Sequence, residues 1–259
     1  MAPSSELPAC RTEAFAGSPD SVPARGEGYS LWTTEACLYT NYGNRMVLDQ
    51  PTADLGPFVA VWLAAHAKRG IRRAYFTVET ENDVEPPLPG GFDREKLYCR
   101  RSLGPIQSVS CPLPIRLAHD EWQQHLALSM ATTDDDSPGS AEYLAWYVAG
   151  QRRRVEQRTA RVWGAFDGGR LVGHVALHER DGEARFQMVA THADYRRRGI
   201  CSSLMARAVA SFRTRCPTGA AYIVAKAGSG PDRLYEDLGF SRISTLWETS
   251  APTETLLSR

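Results

Sequence analysis

The chain has 259 residues, with 30 basic and 30 acidic side chains and no formal net charge. That balance argues against nucleic acid as the main partner, because nucleic-acid-binding domains carry a basic excess. With 42% hydrophobic and 23% charged residues it has the composition of a globular protein, long enough for one large domain or two modest ones.

No apolar run is long enough to span a bilayer, so no membrane association is expected. The N-terminal MAPSSELPACRTEAFAGSPDS has no basic start followed by an apolar core, which argues against a secretory signal. Cys10, Cys37, Cys99, Cys111, Cys201 and Cys216 are scattered, without a CxxC pair. The expectation is free thiols in a cytoplasmic protein, with no metal site.

Residues 1–27 are rich in Pro, Ser, Ala, Gly and Glu and are expected to form a disordered tail. A small α/β domain is expected over 28–105. Its predicted elements are a strand at 44–48, a helix at 55–68 and strands at 72–78 and 92–100. The helix has Phe58, Trp62, Ala65 and Lys68 at helical spacing, and Gly70 closes it. Three prolines and a glycine between Ser102 and Pro114 mark a linker.

A longer domain is expected over 112–250. It opens with a short strand at 115–118, a helix at 119–130, the breaker TTDDDSPGS and a helix at 141–159 whose arginine-rich end opposes the helix dipole. Three strands follow, at 161–166, 171–178 and 184–190, joined by turns that contain Asp-Gly. Asp-Gly between alternating apolar runs predicts an antiparallel meander. A helix at 199–213, a strand at 220–225, a short helix at 232–238 and a strand at 240–248 complete the chain. The fold class is α/β (α+β): a mixed, mostly antiparallel sheet flanked by helices, with a smaller N-terminal α/β unit. The two halves echo each other in helix, strand, loop and a closing Gly-Phe segment.

The stretch Tyr195-Arg-Arg-Arg-Gly-Ile-Cys-Ser-Ser-Leu-Met205 joins the last meander strand to a helix. The first backbone N–H groups of a helix have no internal partners and carry the positive end of its dipole. Such a start is an anion site, Gly199 allows close backbone approach, and the arginines add charge. The bland reading is a basic surface loop ahead of an amphipathic helix.

Arg196-Arg-Arg-Gly199-Ile-Cys201 resembles the acetyl-CoA motif of the GNAT superfamily of N-acetyltransferases, Gln/Arg-x-x-Gly-x-Gly/Ala, with Cys201 in the last place. Leu234-Tyr-Glu-Asp-Leu-Gly-Phe240 matches that family's tail motif, and the element order from about 115 to 248 agrees. The resemblance implies that Val189, Ala190 and Thr191 pair with the pantetheine arm. It implies that Arg197, Arg198, Gly199, Ile200, Cys201 and Ser202 hold the pyrophosphate, and that the sheet splays near Val189 and Tyr222. Tyr235 matches the tyrosine that donates a proton to the leaving thiolate; its competing reading is a core aromatic. Gly228 stands where the family often has an asparagine, so one amide contact to the cofactor is absent.

The implied reaction is direct transfer of an acetyl group from acetyl-CoA to an amine, with no metal. The acceptor would be a small molecule or peptide, and the protein a monomer or homodimer. The alternatives are a non-catalytic acetyl-CoA-binding or regulatory module, and an enzyme for a longer acyl donor. Candidate bases are His174, His178, Glu179 and Glu183, each read more readily as a turn or surface residue than as the base, so none is assigned. Gln187 can bind but not act as a base, and His192 lies close to the cofactor turn.

Overall fold

In the computed structural model, residues 6–17, 20–40, 43–87, 90–107, 110–133 and 139–258 are described. The chain begins with α1 (Pro8–Ala16), β1 (Ser21–Gly26), β2 (Tyr29–Thr34), β3 (Met46–Leu48), α2 (Gly56–His66), β4 (Arg73–Thr80) and β5 (Asp93–Ser102). Then come β6 (Ile115–Leu117), α3 (Trp122–Thr132), α4 (Ser140–Glu156), β7 (Ala160–Asp167), β8 (Arg170–Arg180) and β9 (Glu183–Thr191). The chain closes with α5 (Ile200–Arg215), β10 (Ala220–Lys226), α6 (Gly230–Asp237), β11 (Ser241–Pro252) and α7 (Thr253–Leu257). The fold is the mixed, mostly antiparallel sheet flanked by helices that the sequence predicts. Most of TTDDDSPGS lies outside the described residues.

Two compact units divide the chain, and neither is contiguous. The first contains residues 1–99, 224–229 and 242–259. Its strands run in the order β1-β2-β3-β4-β11-β5, with β3 parallel to β4 and the other recorded pairs antiparallel. Trp62 of α2 is fully buried against Phe76 and Val78 of β4, Met46 and Leu48 of β3, and Trp247 and Ala251 of β11. The strand expected to end the C-terminal domain thus completes the N-terminal unit, pairing with β4 from Thr245–Thr80 to Pro252–Arg73. A pairing across so long a stretch of chain has no local signal.

The expected tail also differs over its described residues. There, α1 is a helix, and β1 pairs with β2 from Ser21–Thr34 to Gly26–Tyr29. The cause is distant: the buried Glu79 carboxylate of β4 accepts the N–H groups of Ala9 and Cys10, at 2.9 and 2.8 Å. These are first-turn amides, which a helix cannot satisfy itself.

The second unit contains residues 100–223 and 230–241, with strand order β10-β9-β8-β7-β6. The β6–β9 strands pair antiparallel, and β10 runs parallel to β9. Side chains alternate across β8. A Cβ on Gly173 would sit 2.7 Å from Ile200 Cγ2, so α5 packs directly on that face. His174 and His178 point the other way and meet His125 of α3 and Gln151 of α4. Among the described residues no helix is long and apolar enough to cross a membrane, and no group of three or more His, Cys, Asp or Glu is placed to hold a metal.

Candidate functional site

The site is built at the C-terminal end of β9. Its register against β8 shifts from Ala176–Gln187 to His174–Ala190, so three steps on β9 oppose two on β8. Met188 takes up the extra residue with φ 51°. This is a β-bulge, which bends a strand and re-aims its groups, and a non-glycine residue in the left-handed region is strained. On the other edge, β9 pairs with β10 only from Glu183–Ala220 to Arg185–Tyr222. Val189, Ala190 and Thr191 thus lie beyond the ladder and are half-buried. The recorded β9–β10 pairing thus ends at Arg185–Tyr222, before the segment where the resemblance implies a splay.

The turn that follows has alternating backbone handedness. Arg197 has φ 65° and Gly199 has φ 73°. Gly199 is the N-cap of α5 and no side chain caps the helix. The N–H of Ser203 is the first to reach back into the helix, to Gly199 O at 3.0 Å. The amides of Ile200, Cys201 and Ser202 have no carbonyl behind them within the helix. Left-handed turns beside a helix start gather N–H groups into a concavity that suits anions, and the helix dipole adds to it.

The arginines divide the work. Arg196 Nε donates to Thr191 O at 3.3 Å and so ties the turn to β9. The Arg198 guanidinium lies 5.0 Å from the centroid of the Tyr195 ring, whose hydroxyl donates to Asp167 Oδ2 at 2.7 Å. Arg197 is exposed, and no side-chain partner is recorded for it among the described residues. Burial pushes the Cys201 thiol up to about 12, so it stays protonated despite its place in a first helical turn.

Tyr235 lies in α6, and the Leu-Gly-Phe motif explains how that helix stops. Gly239 has φ 93°; its N–H donates to Glu236 O at 2.9 Å, and the Phe240 N–H donates to Tyr235 O at 3.0 Å. This is a Schellman ending, which uses glycine for the left-handed residue and a hydrophobic residue after it. Phe240 turns back against the Tyr235 ring at 6.5 Å and the Phe186 ring of β9 at 6.1 Å. Tyr235 is 6% exposed, and no hydrogen-bond partner of its hydroxyl is recorded among the described residues. Burial, then Cys201 and Asp232, raise its pKa far above the ordinary phenol value, so it holds its proton.

The candidate bases do not gather there. Glu179 is ion-paired with Arg215, at the far end of α5. Glu183 begins β9, eight residues before Thr191 and so about 26 Å from it along an extended strand. His178 is buried, bonded through Nε2 to Gln151 Oε1 at 2.6 Å, and its pKa is depressed by burial and by Arg154 and Arg185. His174 is buried beside His125, and burial lowers it to about 3, too weak a base to hold an amine's proton. Gln187 accepts from the Tyr147 hydroxyl at 3.1 Å. His192 faces Arg170 Nη2 at 3.0 Å.

Two features at the site escaped the sequence reading: the Met188 bulge, and Arg100, which binds Asp232 and Glu236 of α6 at 2.6 and 3.2 Å. An apolar residue in a strand gives no sign of a left-handed backbone, and Arg100 is 132 residues from Asp232.

Comparison with known proteins places the family and the fold. Residues 119–240 match the model of the acetyltransferase (GNAT) family. No curated protein matches the chain in sequence. A conserved protein of unknown function from Staphylococcus epidermidis shares the fold, with TM-score 0.71 and 12% identity, over 95% of this chain and 98% of its own. A GCN5-related N-acetyltransferase from Kribbella flavida has TM-score 0.63 and 14% identity, over 97% and 96%. A tandem GNAT protein from the clavulanic acid biosynthesis pathway has TM-score 0.60 and 12% identity, over 92% and 85%. The shared fold thus extends through the N-terminal part, which has GNAT-like architecture. The uncapped α5 start, the opened β9 edge and the family match lead to one assignment: residues 119–240 are a domain of the acetyltransferase (GNAT) family.

Proposed function

We propose that this domain moves an acetyl group from acetyl-CoA to an amine by direct transfer. The observation that carries the reading is the alternation of left-handed backbone at Arg197 and Gly199, ahead of an uncapped helix and beside a half-buried strand end that has left the β10 ladder. The first-turn amides suit a pyrophosphate, and the β10-facing edge at Val189–Thr191, past the end of that ladder, suits an amide-bearing arm. Acetyl-CoA would supply the thioester, whose acetyl group passes to the nitrogen as the carbon–sulfur bond breaks.

In this reading the chain's residues have distinct tasks. The amides of Arg197 to Ser202 bind and orient the anionic end. The Val189–Thr191 backbone aligns the arm, and burial of the cleft around Tyr235 limits water. Tyr235 Oη gives its proton to the sulfur as it leaves, which suits a phenol still protonated at neutral pH. The proton lost by the amine goes to water, since Glu179, Glu183 and His178 are bound or placed elsewhere and His174, opposite Ala190 on β8, is too weak a base. That same lack favours the second reading, a module that binds acetyl-CoA or a longer acyl-CoA without turnover.

The test is calorimetry with acetyl-CoA and CoA, followed by a panel of small-molecule and peptide amines with mass detection. Micromolar binding, about −8 kcal/mol, is expected, with acetylation of at least one amine. No heat and no melting shift at millimolar CoA would remove the reading. Binding without transfer to any amine would favour the non-catalytic module.

A further inference from the structure

The α6 helix is only eight residues long, too short to be stable by itself. One side chain clamps it along its whole length. Arg100 of β5, 5% exposed, donates from Nε to Asp232 Oδ1 at 2.6 Å, in the first turn. It donates from Nη2 to Glu236 Oε2 at 3.2 Å, in the last turn, and from Nη1 to Phe240 O at 3.3 Å, beyond the helix end. Tyr235 lies between the first two of these contacts. Phe240, the third, is the residue whose ring rests on that of Tyr235.

We propose that Arg100 is a positioning residue for acyl transfer: its three-point grip on α6 sets where the Tyr235 hydroxyl stands. The proposal rests on the reading of Tyr235 as the proton donor. A planar guanidinium presents its donors in a fixed fork, so it specifies direction as well as charge, which an ammonium does not. The charge balance points the same way. The Asp232 carboxylate is buried, 3% exposed, and its charge opposes ionisation of the Tyr235 phenol, so a cation held against it offsets that opposition. A clamp of purely structural purpose could seize any turn of α6; this one engages residues on both sides of Tyr235 and the residue whose ring rests on it.

The experiment is a double-mutant cycle on the full chain, following acetyl-CoA consumption with the best amine of the panel. Variants are Arg100→Lys, which keeps the charge and loses the fork, and Asp232→Asn, which keeps the shape, each alone and combined with Tyr235→Phe. Alone, each lowers kcat about tenfold and leaves KM for acetyl-CoA within about twofold, an interaction felt only in the transition state. Added to Tyr235→Phe, neither lowers kcat further, although each still lowers the melting temperature. Hydrogen exchange at 230–237 rises in both, while that of 200–215 does not. Should Arg100→Lys not fold, the isosteric Asp232→Asn carries the same cycle. If the variants slow the Tyr235→Phe protein as much as the parent, Arg100 acts through something else, and the Tyr235 reading survives. If Tyr235→Phe turns over at full rate, the donor reading fails and the positioning role falls with it.

Discussion

Nδ1 of His125 and Nδ1 of His174 lie 3.0 Å apart, with the two rings stacked at 5.1 Å between centroids. His125 Nε2 faces Ala118 O at 2.7 Å and so carries a proton. Its Nδ1 is then the acceptor and His174 Nδ1 the donor, which leaves His174 Nε2 bare and buried without a partner. Protonating both rings would set two Nδ1–H donors against each other, and burial opposes even the first charge.

Acid should therefore destabilise the protein. Burial lowers His125 and takes His174 to about 3 and His66 to about 4; His178 is also depressed. Their unfolded pKa is about 6.5. Above that value both states are neutral and the stability is fully present. Below it the unfolded chain takes up protons that the fold refuses, until pH reaches the folded values. His174 alone removes about 1.4 kcal/mol per pH unit in that window. The urea midpoint should fall steadily from pH 6.5 towards 4, and His174→Phe, which keeps a ring, should flatten that slope. An unchanged slope in the variant would refute the account.

Gly199→Ala should weaken CoA binding by about tenfold. At φ 73° a Cβ strains the backbone by about 1–2 kcal/mol and pulls the α5 start from its geometry. Arg197→Gly is a contrasting variant. It relieves the strain at φ 65°, so the melting temperature should hold or rise while CoA binding weakens through the lost charge. Calorimetry beside thermal melts reads both effects.

Tyr235→Phe should slow turnover by about 100-fold while leaving the melting temperature nearly unchanged. The ring contacts with Phe240 persist, and no recorded hydrogen bond is lost with the hydroxyl. Steady-state rates at saturating acetyl-CoA decide it, with unchanged turnover returning Tyr235 to the core.

Glu79→Gln should loosen α1 specifically. The carboxylate receives two first-turn amides and the Ser244 hydroxyl, whereas an amide side chain has one accepting oxygen. A loss of about 1–3 kcal/mol is expected. Amide exchange at 8–16 should rise well before exchange at 56–66 in α2.

What the sequence determined by itself was whatever rests on local chemistry. Asp-Gly turns between alternating strands announced the β7–β9 meander. Gly199 before a helical run announced the left-handed turn into α5, and Leu-Gly-Phe announced the end of α6, because each reports a backbone conformation that few residues adopt. Tertiary structure alone decided what depends on partners far along the chain. Residues 8–16 read as a tail because their cap, Glu79, is about 70 positions away. The last strand read as part of the C-terminal domain because nothing in 241–252 names β4 as its neighbour. The Met188 bulge, the neutral His125–His174 pair and the Arg100 grip on α6 were likewise invisible. Strain, burial and ion pairing are properties of the surroundings that a fold assembles, and no single stretch of sequence contains them.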